Sequence, residues 1–339
     1  MDHELRFGIV GTGWIGGVVA TSITKSKLAR LTAVCDLKLE TAQAFAAKRP
    51  GVAAVEGVEA LLAREDVDAV HVATPTSAKL GIALAAIAAG KHVLVDKPLI
   101  DYASVKRITE AAAAKGVSFM DATHFVHHPR TRAIREAIPR LIGRPRSLHA
   151  TFYFPVTDRS NMRFDPIQEP MGAAGDQVWY PMRAVVEYLQ PQGAPEKVAA
   201  VAERDPETGA VVSVSGMIGF ESGEVSTFDA GYTGGTVIMD LSLLGTSGMI
   251  SVDDFLLDWT DSFAFHNPGI KTGYTHRTGM ATRNDFTFIE TPSTAPADVL
   301  MIDHFAELVT SSDPRAAASF VEASLKTQQY VDAIWEAVR

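Results

Sequence analysis

The chain has 339 residues, 47% hydrophobic and 21% charged, as in a water-soluble globular protein with room for two domains. Its formal charge of −9 argues against nucleic acid or an anionic membrane as the main partner. The single cysteine, Cys35, excludes an internal disulfide. No hydrophobic run reaches the length of a membrane span, and the opening MDHELRFG lacks a basic-then-apolar signal, so a cytoplasmic location is expected.

In chain order, an apolar strand at 6–10 runs into Gly11-Thr12-Gly13-Trp14-Ile15-Gly16, and a helix-compatible segment follows. This is the dinucleotide fingerprint in the strand–turn–helix context it needs. Gly11 permits the tight turn, Gly13 lets the backbone approach a pyrophosphate, and Gly16 lets helix and strand pack closely. The phosphates then sit on free N–H groups at the helix start. A second apolar strand, 31–35, ends in Asp36, 25 residues after Gly11. A carboxylate there binds a ribose 2′-hydroxyl and repels a 2′-phosphate, which points to NAD; Lys38 leaves NADP open. The bland alternative is an ordinary glycine turn in an α/β domain.

Further strands are expected at 52–55, 68–73, 92–95 and 117–120, with Ala-rich helices such as 39–48 and 78–89 between them. The alternation predicts a doubly wound parallel sheet over residues 1–122. Thr74-Pro75 and Asp96-Lys97-Pro98 lie just beyond the fourth and fifth strands, where open parallel sheets bind ligands. Lys97 there can stabilise a substrate oxygen; a surface lysine on a loop is the alternative.

Beyond about 122 the pattern changes. A helix at 130–142, a strand over 144–154 and a helix at 175–190 precede strand-like runs at 197–204, 211–220, 224–231, 236–244, 248–252 and 285–290. Strands without intervening helices predict an α+β domain with a large, mainly antiparallel open sheet over 123–315. Helical patterns return at 297–311 and 316–338, the last expected to pack on the first domain. His124, His127 and His128 invite a metal reading, but Pro129 disfavours helix at His128 and no companion ligands accompany them, so no metal site is expected. Trp14 and Phe125 line a cleft or fill the core.

The chain resembles the glucose–fructose oxidoreductase / inositol dehydrogenase (Gfo/Idh/MocA) family over nearly its whole length. The resemblance is carried by GTGWIG, by TPTSAKLGIALAAIAAGKHVLVDKP and by the α/β-then-antiparallel order. Family members have Glu-Lys-Pro where this chain has Asp96-Lys97-Pro98, which implies a catalytic or substrate-binding Lys97. Phe125-Val126-His127-His128-Pro129 resembles an aromatic-Arg-aromatic-His-Pro segment of the branch with dimeric dihydrodiol dehydrogenase and sugar 1-dehydrogenases, Val126 standing for the arginine. Ser160-Asn161-Met162-Arg163-Phe164-Asp165-Pro166 also resembles that branch. So does Gly172 to Pro181, where Gly-Ala-Ala-Gly stands for a glycine run and Val178 for a glycine. The resemblance implies substrate contacts from Lys97, Phe125, His128, Asn161, Arg163, Asp176 and Tyr180, with Lys97, Tyr180 and Asp176 catalytic. The expected cofactor set is Gly11, Thr12, Gly13, Trp14, Ile15, Gly16, Asp36, Thr74, Pro75, Asp96 and Lys97.

Asp176 and Tyr180, four residues apart on an expected helix start, can face one direction. Tyrosine titrates near 10 in water, and a lysine ammonium close by would favour the phenolate. A core tyrosine with a satisfied hydroxyl fits the residues equally well. The expectation is a nicotinamide-dependent oxidoreductase acting on a carbohydrate or polyol hydroxyl, as an aldose 1-dehydrogenase. The alternatives are a trans-dihydrodiol or keto-sugar oxidoreductase, an NAD-dependent glycosidase and a non-catalytic cofactor-binding sensor. Runs such as 211–218 and 237–244 put apolar residues on both sides of a strand, which points to a homodimer or homotetramer through the second sheet.

Overall fold

In the computed structural model, which describes residues 4–258, 260–262, 265–267, 269–280, 282, 285–311 and 314–339, strand and helix alternate up to Thr123. The strands are β1 (Leu5–Val10), β2 (Ala29–Asp36), β3 (Ala53–Glu56), β4 (Ala69–Val72), β5 (His92–Val95) and β6 (Phe119–Asp121). They pair in parallel in the order β3-β2-β1-β4-β5-β6. Helices α1 (Trp14–Lys25), α2 (Leu39–Ala46), α3 (Gly57–Leu62), α4 (Thr76–Ala88) and α5 (Tyr102–Lys115) make the crossovers. The inner strands are almost continuously apolar because helices cover both faces; Ile9, Val34, Val70, Val72 and Leu94 are all buried. The strand order reverses between β1 and β4, so the loops after those strands border a crevice at the carboxyl edge.

Residues up to Thr123 form one compact unit with Asp298–Leu325. The sequence predicts residues 298–315 in the second domain. The helix Ala297–Thr310 instead buries Met301, Ile302, Phe305 and Leu308 with Phe7, Ile9 and Val19. The Phe305 and Phe7 ring centroids are 5.8 Å apart, and Ser22 Oγ donates to Asp298 Oδ2 at 2.7 Å. Periodicity marks the apolar face of this helix but not the sheet that receives it.

The second unit comprises His124–Ala297 and Lys326–Arg339. The long helix Pro314–Val338 therefore contributes its first part to one unit and its last part to the other, with Tyr330 edge-on to Phe220 at 5.1 Å. The unit begins with a 3₁₀ turn, His124–His127, then α6 (Pro129–Leu141), β7 (Pro145–Tyr153), α7 (Ala173–Asp176) and α8 (Trp179–Ala184). Strands β8 (Pro195–Arg204), β9 (Val211–Phe220), β10 (Val225–Gly231), β11 (Leu241–Gly245) and β12 (Gly248–Val252) follow. Then come the short pair β13 (Asp261–Ser262) and β14 (Phe265–His266), and last β15 (Gly273–Thr278) and β16 (Thr287–Glu290). The main sheet runs β16-β15-β12-β11-β7-β10-β9-β8, antiparallel except at β7–β10.

Three expectations are corrected here. The strand expected over 236–244 pairs regularly only from Leu241, reduced before that to a single bridge between Ile238 and Tyr153. The helix expected over 175–190 is two short helices and a π turn, Val185–Leu189. Pro181 has no N–H to donate to the Gln177 carbonyl, and the helix restarts at Trp179, which places the proline in its first turn. Nor are both sheet faces apolar. Leu148, Ala150, Val214, Ile218, Phe228 and Leu243 are buried on one face. The other carries a register row across all eight strands: Ala199, Met217, Thr227, His149, Ser242, Ser251, Thr275 and Phe288. Every residue of that row is exposed or half-buried. No helix among the described residues is long and apolar enough to cross a membrane.

Candidate functional site

The glycine loop of the first unit has the stereochemistry its sequence implies. Gly11 has φ +97°, and a Cβ there would lie 2.5 Å from the Ala73 carbonyl oxygen. A Cβ on Gly16 would lie 2.2 Å from the Gly11 carbonyl oxygen, so helix and turn touch backbone to backbone. Gly13 is the opposite case: it is the N-cap of α1, makes no side-chain cap, and a Cβ there meets nothing within 4 Å. The start of α1 thus carries no side-chain cap and presents the positive end of the helix dipole. Trp14, the first helical residue, is 59% exposed and does not fill the core.

Asp36 closes β2 and faces this loop. Its Oδ2 accepts from Thr12 N at 2.7 Å and Thr12 Oγ1 at 2.6 Å, and its Oδ1 accepts from Leu37 N at 2.8 Å. Across the strand-order reversal, Thr74 Oγ1 is buried with no hydrogen-bond partner among the described residues. After β5, Asp96 N donates to Val72 O at 3.0 Å, and the half-buried Lys97 follows. An uncapped helix start, a carboxylate at the end of the neighbouring strand and an unpaired buried hydroxyl fit a dinucleotide.

In the second unit, His128 is extended before Pro129 (φ −71°, ψ 140°) and caps α6, its Nδ1 accepting from Arg130 N at 3.0 Å. The proton then sits on Nε2, which is buried without a hydrogen-bond acceptor among the described residues; Asp258 Oδ2 is 3.7 Å away. Burial, helped by the Arg130 charge, pushes the His128 pKa down to about 3, so the ring is neutral. The Arg130 guanidinium donates to the carbonyls of Asp254, Phe255 and Leu257 at 2.9, 2.9 and 3.1 Å. His124 Nε2 lies 3.0 Å from the Leu256 carbonyl oxygen. Phe125 is core, edge-on to Phe255 at 5.5 Å.

Tyr180 packs edge-on against Phe152 at 5.0 Å and His124 at 5.8 Å, with 7% of its surface exposed. Asp176 ends α7 and Tyr180 is the second residue of α8, so the two lie on separate short helices. The Asp176 carboxylate is engaged: Oδ2 accepts from Arg163 Nε at 2.6 Å and from the Tyr232 hydroxyl at 3.1 Å. The Asp176 charge raises the Arg163 pKa further, while burial pushes that of Tyr232 well up. Asn161 closes the turn below, its side-chain oxygen accepting from Arg163 N at 3.1 Å. Sequence reasoning missed Tyr232, Arg130 and Lys79. Tyr232 reaches a carboxylate 56 positions away, and no local pattern signals that contact.

Residues 5–123 match the profile of an oxidoreductase family with an NAD-binding Rossmann fold, and residues 131–251 match the GFO/IDH/MocA C-terminal domain. The chain is 32% identical over 260 residues to dTDP-3,4-didehydro-2,6-dideoxy-alpha-D-glucose 3-reductase of Streptomyces violaceoruber, covering 74% of this chain and 73% of that enzyme. With the enzyme of that name from Actinomadura kijaniata the identity is 32% over 220 residues, 64% of this chain and 65% of that one. D-xylose 1-dehydrogenase (NADP(+)) 2 of Haloferax volcanii is 26% identical, with 67% and 70% covered. In fold, the chain superposes on a 3-ketoreductase from Actinomadura kijaniata, crystallised with NADP and TDP-benzene, with a TM-score of 0.86 at 24% identity, covering 99% and 98% of the chains.

Proposed function

The chain belongs to the GFO/IDH/MocA family of oxidoreductases, and from that membership we propose that it transfers a hydride between a nicotinamide dinucleotide and a carbohydrate carbon bearing a hydroxyl or carbonyl group. The observation that carries this is the carboxyl edge of the first sheet, where the open start of α1 at Gly13, Asp36 and Lys97 lie at the ends of β1, β2 and β5. The Gly11–Gly16 loop with Thr12 and Asp36 holds the cofactor, flanked by Trp14, Ile15, Thr74, Pro75 and Asp96. When bound, the nicotinamide supplies the hydride acceptor or donor. The Lys97 ammonium donates to the reacting oxygen and stabilises its negative charge. Tyr180 takes or returns the hydroxyl proton. Asp176, already bonded to Arg163 and Tyr232, orients this region rather than moving a proton. The His128 Nε2 hydrogen, which has no acceptor among the described residues, donates to a further sugar hydroxyl.

Reduction of a keto-sugar is the reading that the 3-reductases among the relatives favour. Oxidation of an aldose at C1 is the second reading, favoured by the xylose dehydrogenase. The test is a panel of free aldoses, polyols, cyclic trans-diols and nucleotide-linked keto-sugars, assayed with NAD and NADP in both directions. Net cofactor turnover on a sugar supports hydride transfer. Glycoside cleavage without net turnover, or tight cofactor binding with no turnover on any member, refutes it. The open face of the second sheet, with Val201, Met217, Leu244 and Phe288 exposed among small polar residues, takes a second copy in a homodimer or tetramer. A monodisperse monomer in sedimentation at micromolar concentration refutes the assembly.

A further inference from the structure

Lys79 is a lysine where a helix facing a sheet ordinarily carries an apolar residue. It lies on α4 with 2% of its surface exposed. Burying an ammonium costs several kcal/mol unless its donors are filled. Here three acceptors surround it: Thr76 Oγ1 at 3.2 Å, the Lys97 carbonyl oxygen at 3.0 Å and the Pro98 carbonyl oxygen at 2.8 Å. Thr76 is three residues earlier on the same helix face and anchors the amine from its own side. The other two acceptors are consecutive peptide oxygens of the loop that carries Lys97. On the strand side that loop is held by Asp96 N donating to Val72 O at 3.0 Å. The backbone of Lys97 is thus tied to β4 just before it and to α4 at its own carbonyl and the next.

We propose that Lys79 is a positioning residue: its buried ammonium clamps the Lys97 and Pro98 carbonyls and so aims the Lys97 side chain at the reacting oxygen. The catalytic half of this rests on the assignment of Lys97 above; the clamp itself does not. An apolar side chain in its place would fill the space but leave two carbonyls without this donor, freeing the loop to turn.

The test compares Lys79→Met, which keeps length and removes the donors, with Lys79→Gln, which keeps an amide donor without charge. Amide hydrogen exchange read by mass spectrometry reports the clamp in the protein without cofactor. Exchange at residues 96–101 should quicken about tenfold in Lys79→Met while the β1 amides hardly change, and Lys79→Gln should recover part of the protection. Turnover should fall about a hundredfold, the scale of a 1 Å misplacement, with the KM for cofactor unchanged. In a Lys97→Met background, adding Lys79→Met should lower kcat no further, since the two act through one group.

Unchanged exchange at 96–101 in a folded Lys79→Met protein overturns the clamp. Losses that multiply in the double variant overturn the path through Lys97. Wild-type turnover of Lys97→Met refutes the assignment of Lys97, and with it the catalytic half of the proposal, whatever the exchange shows. If Lys79→Met does not fold, Lys79→Gln carries the same measurements.

Discussion

Alanine at Gly13, Gly16 and Gly17 should give three different outcomes, although the residues lie within five positions. At Gly16 the new Cβ would sit 2.2 Å from the Gly11 carbonyl oxygen, roughly 1 Å inside contact distance, and a backbone oxygen cannot rotate aside. Overpacking of this kind costs about 1–3 kcal/mol, here at the upper end. The helix-propensity gain of replacing glycine offsets about 1 kcal/mol, leaving a net loss of about 2 kcal/mol. At Gly17 the nearest atom is Phe45 Cε2 at 3.9 Å, an ordinary contact, so the propensity term stands alone and the protein gains up to about 1 kcal/mol. At Gly13 alanine meets nothing within 4 Å and suits the extended backbone of φ −70° and ψ −166°, so stability should hold. The same Cβ points into the space a pyrophosphate needs, and cofactor affinity should fall at least roughly tenfold. Urea unfolding measures the first two effects, and titration with reduced nicotinamide dinucleotide by fluorescence measures the third. Wild-type affinity in Gly13→Ala, or a Gly17→Ala protein less stable than Gly16→Ala, would refute this account of the loop.

Asp36 should make kcat/KM higher with NAD than with NADP, since its carboxylate repels a 2′-phosphate; equal or better efficiency with NADP removes that role. Lys97→Met and Tyr180→Phe should each lower kcat by about two orders of magnitude with little change in cofactor affinity, and wild-type turnover in either drops that residue from the mechanism. His71 is fully buried on β4, and desolvation, with the Lys79 charge, pushes its pKa down to about 3. The unfolded chain takes up a proton near pH 6.5 that the folded ring refuses, so stability is intact above that pH and is lost as pH falls toward 3, by about 1.4 kcal/mol per unit. Urea midpoints of His71→Leu should therefore fall less steeply across this window than wild type, and parallel curves would sink the assignment.

The features legible in the sequence are those whose causes are local. Gly11 announces a turn because its positive φ favours glycine, Gly16 because a Cβ there would strike the turn's own carbonyl, and Asp36 follows because β2 must end beside that turn. Continuous apolar runs marked the parallel strands, and the loss of helices between strands marked the second sheet. Pro129 likewise announced an extended His128. Pairings between distant segments required the tertiary structure. Asp176 reads as a free carboxylate four residues from a tyrosine until Arg163 and Tyr232 are seen to engage it, and Pro181 sets the two on separate helices. The helix 297–310 shows an apolar face in sequence, yet only packing assigns that face to Phe7 and Ile9. Nothing local singles out Lys79 on its Ala-rich helix; the carbonyls of Lys97 and Pro98, 18 and 19 positions on, make it a buried tie. A period records which way a side chain points, and what it meets there depends on segments that only folding brings together.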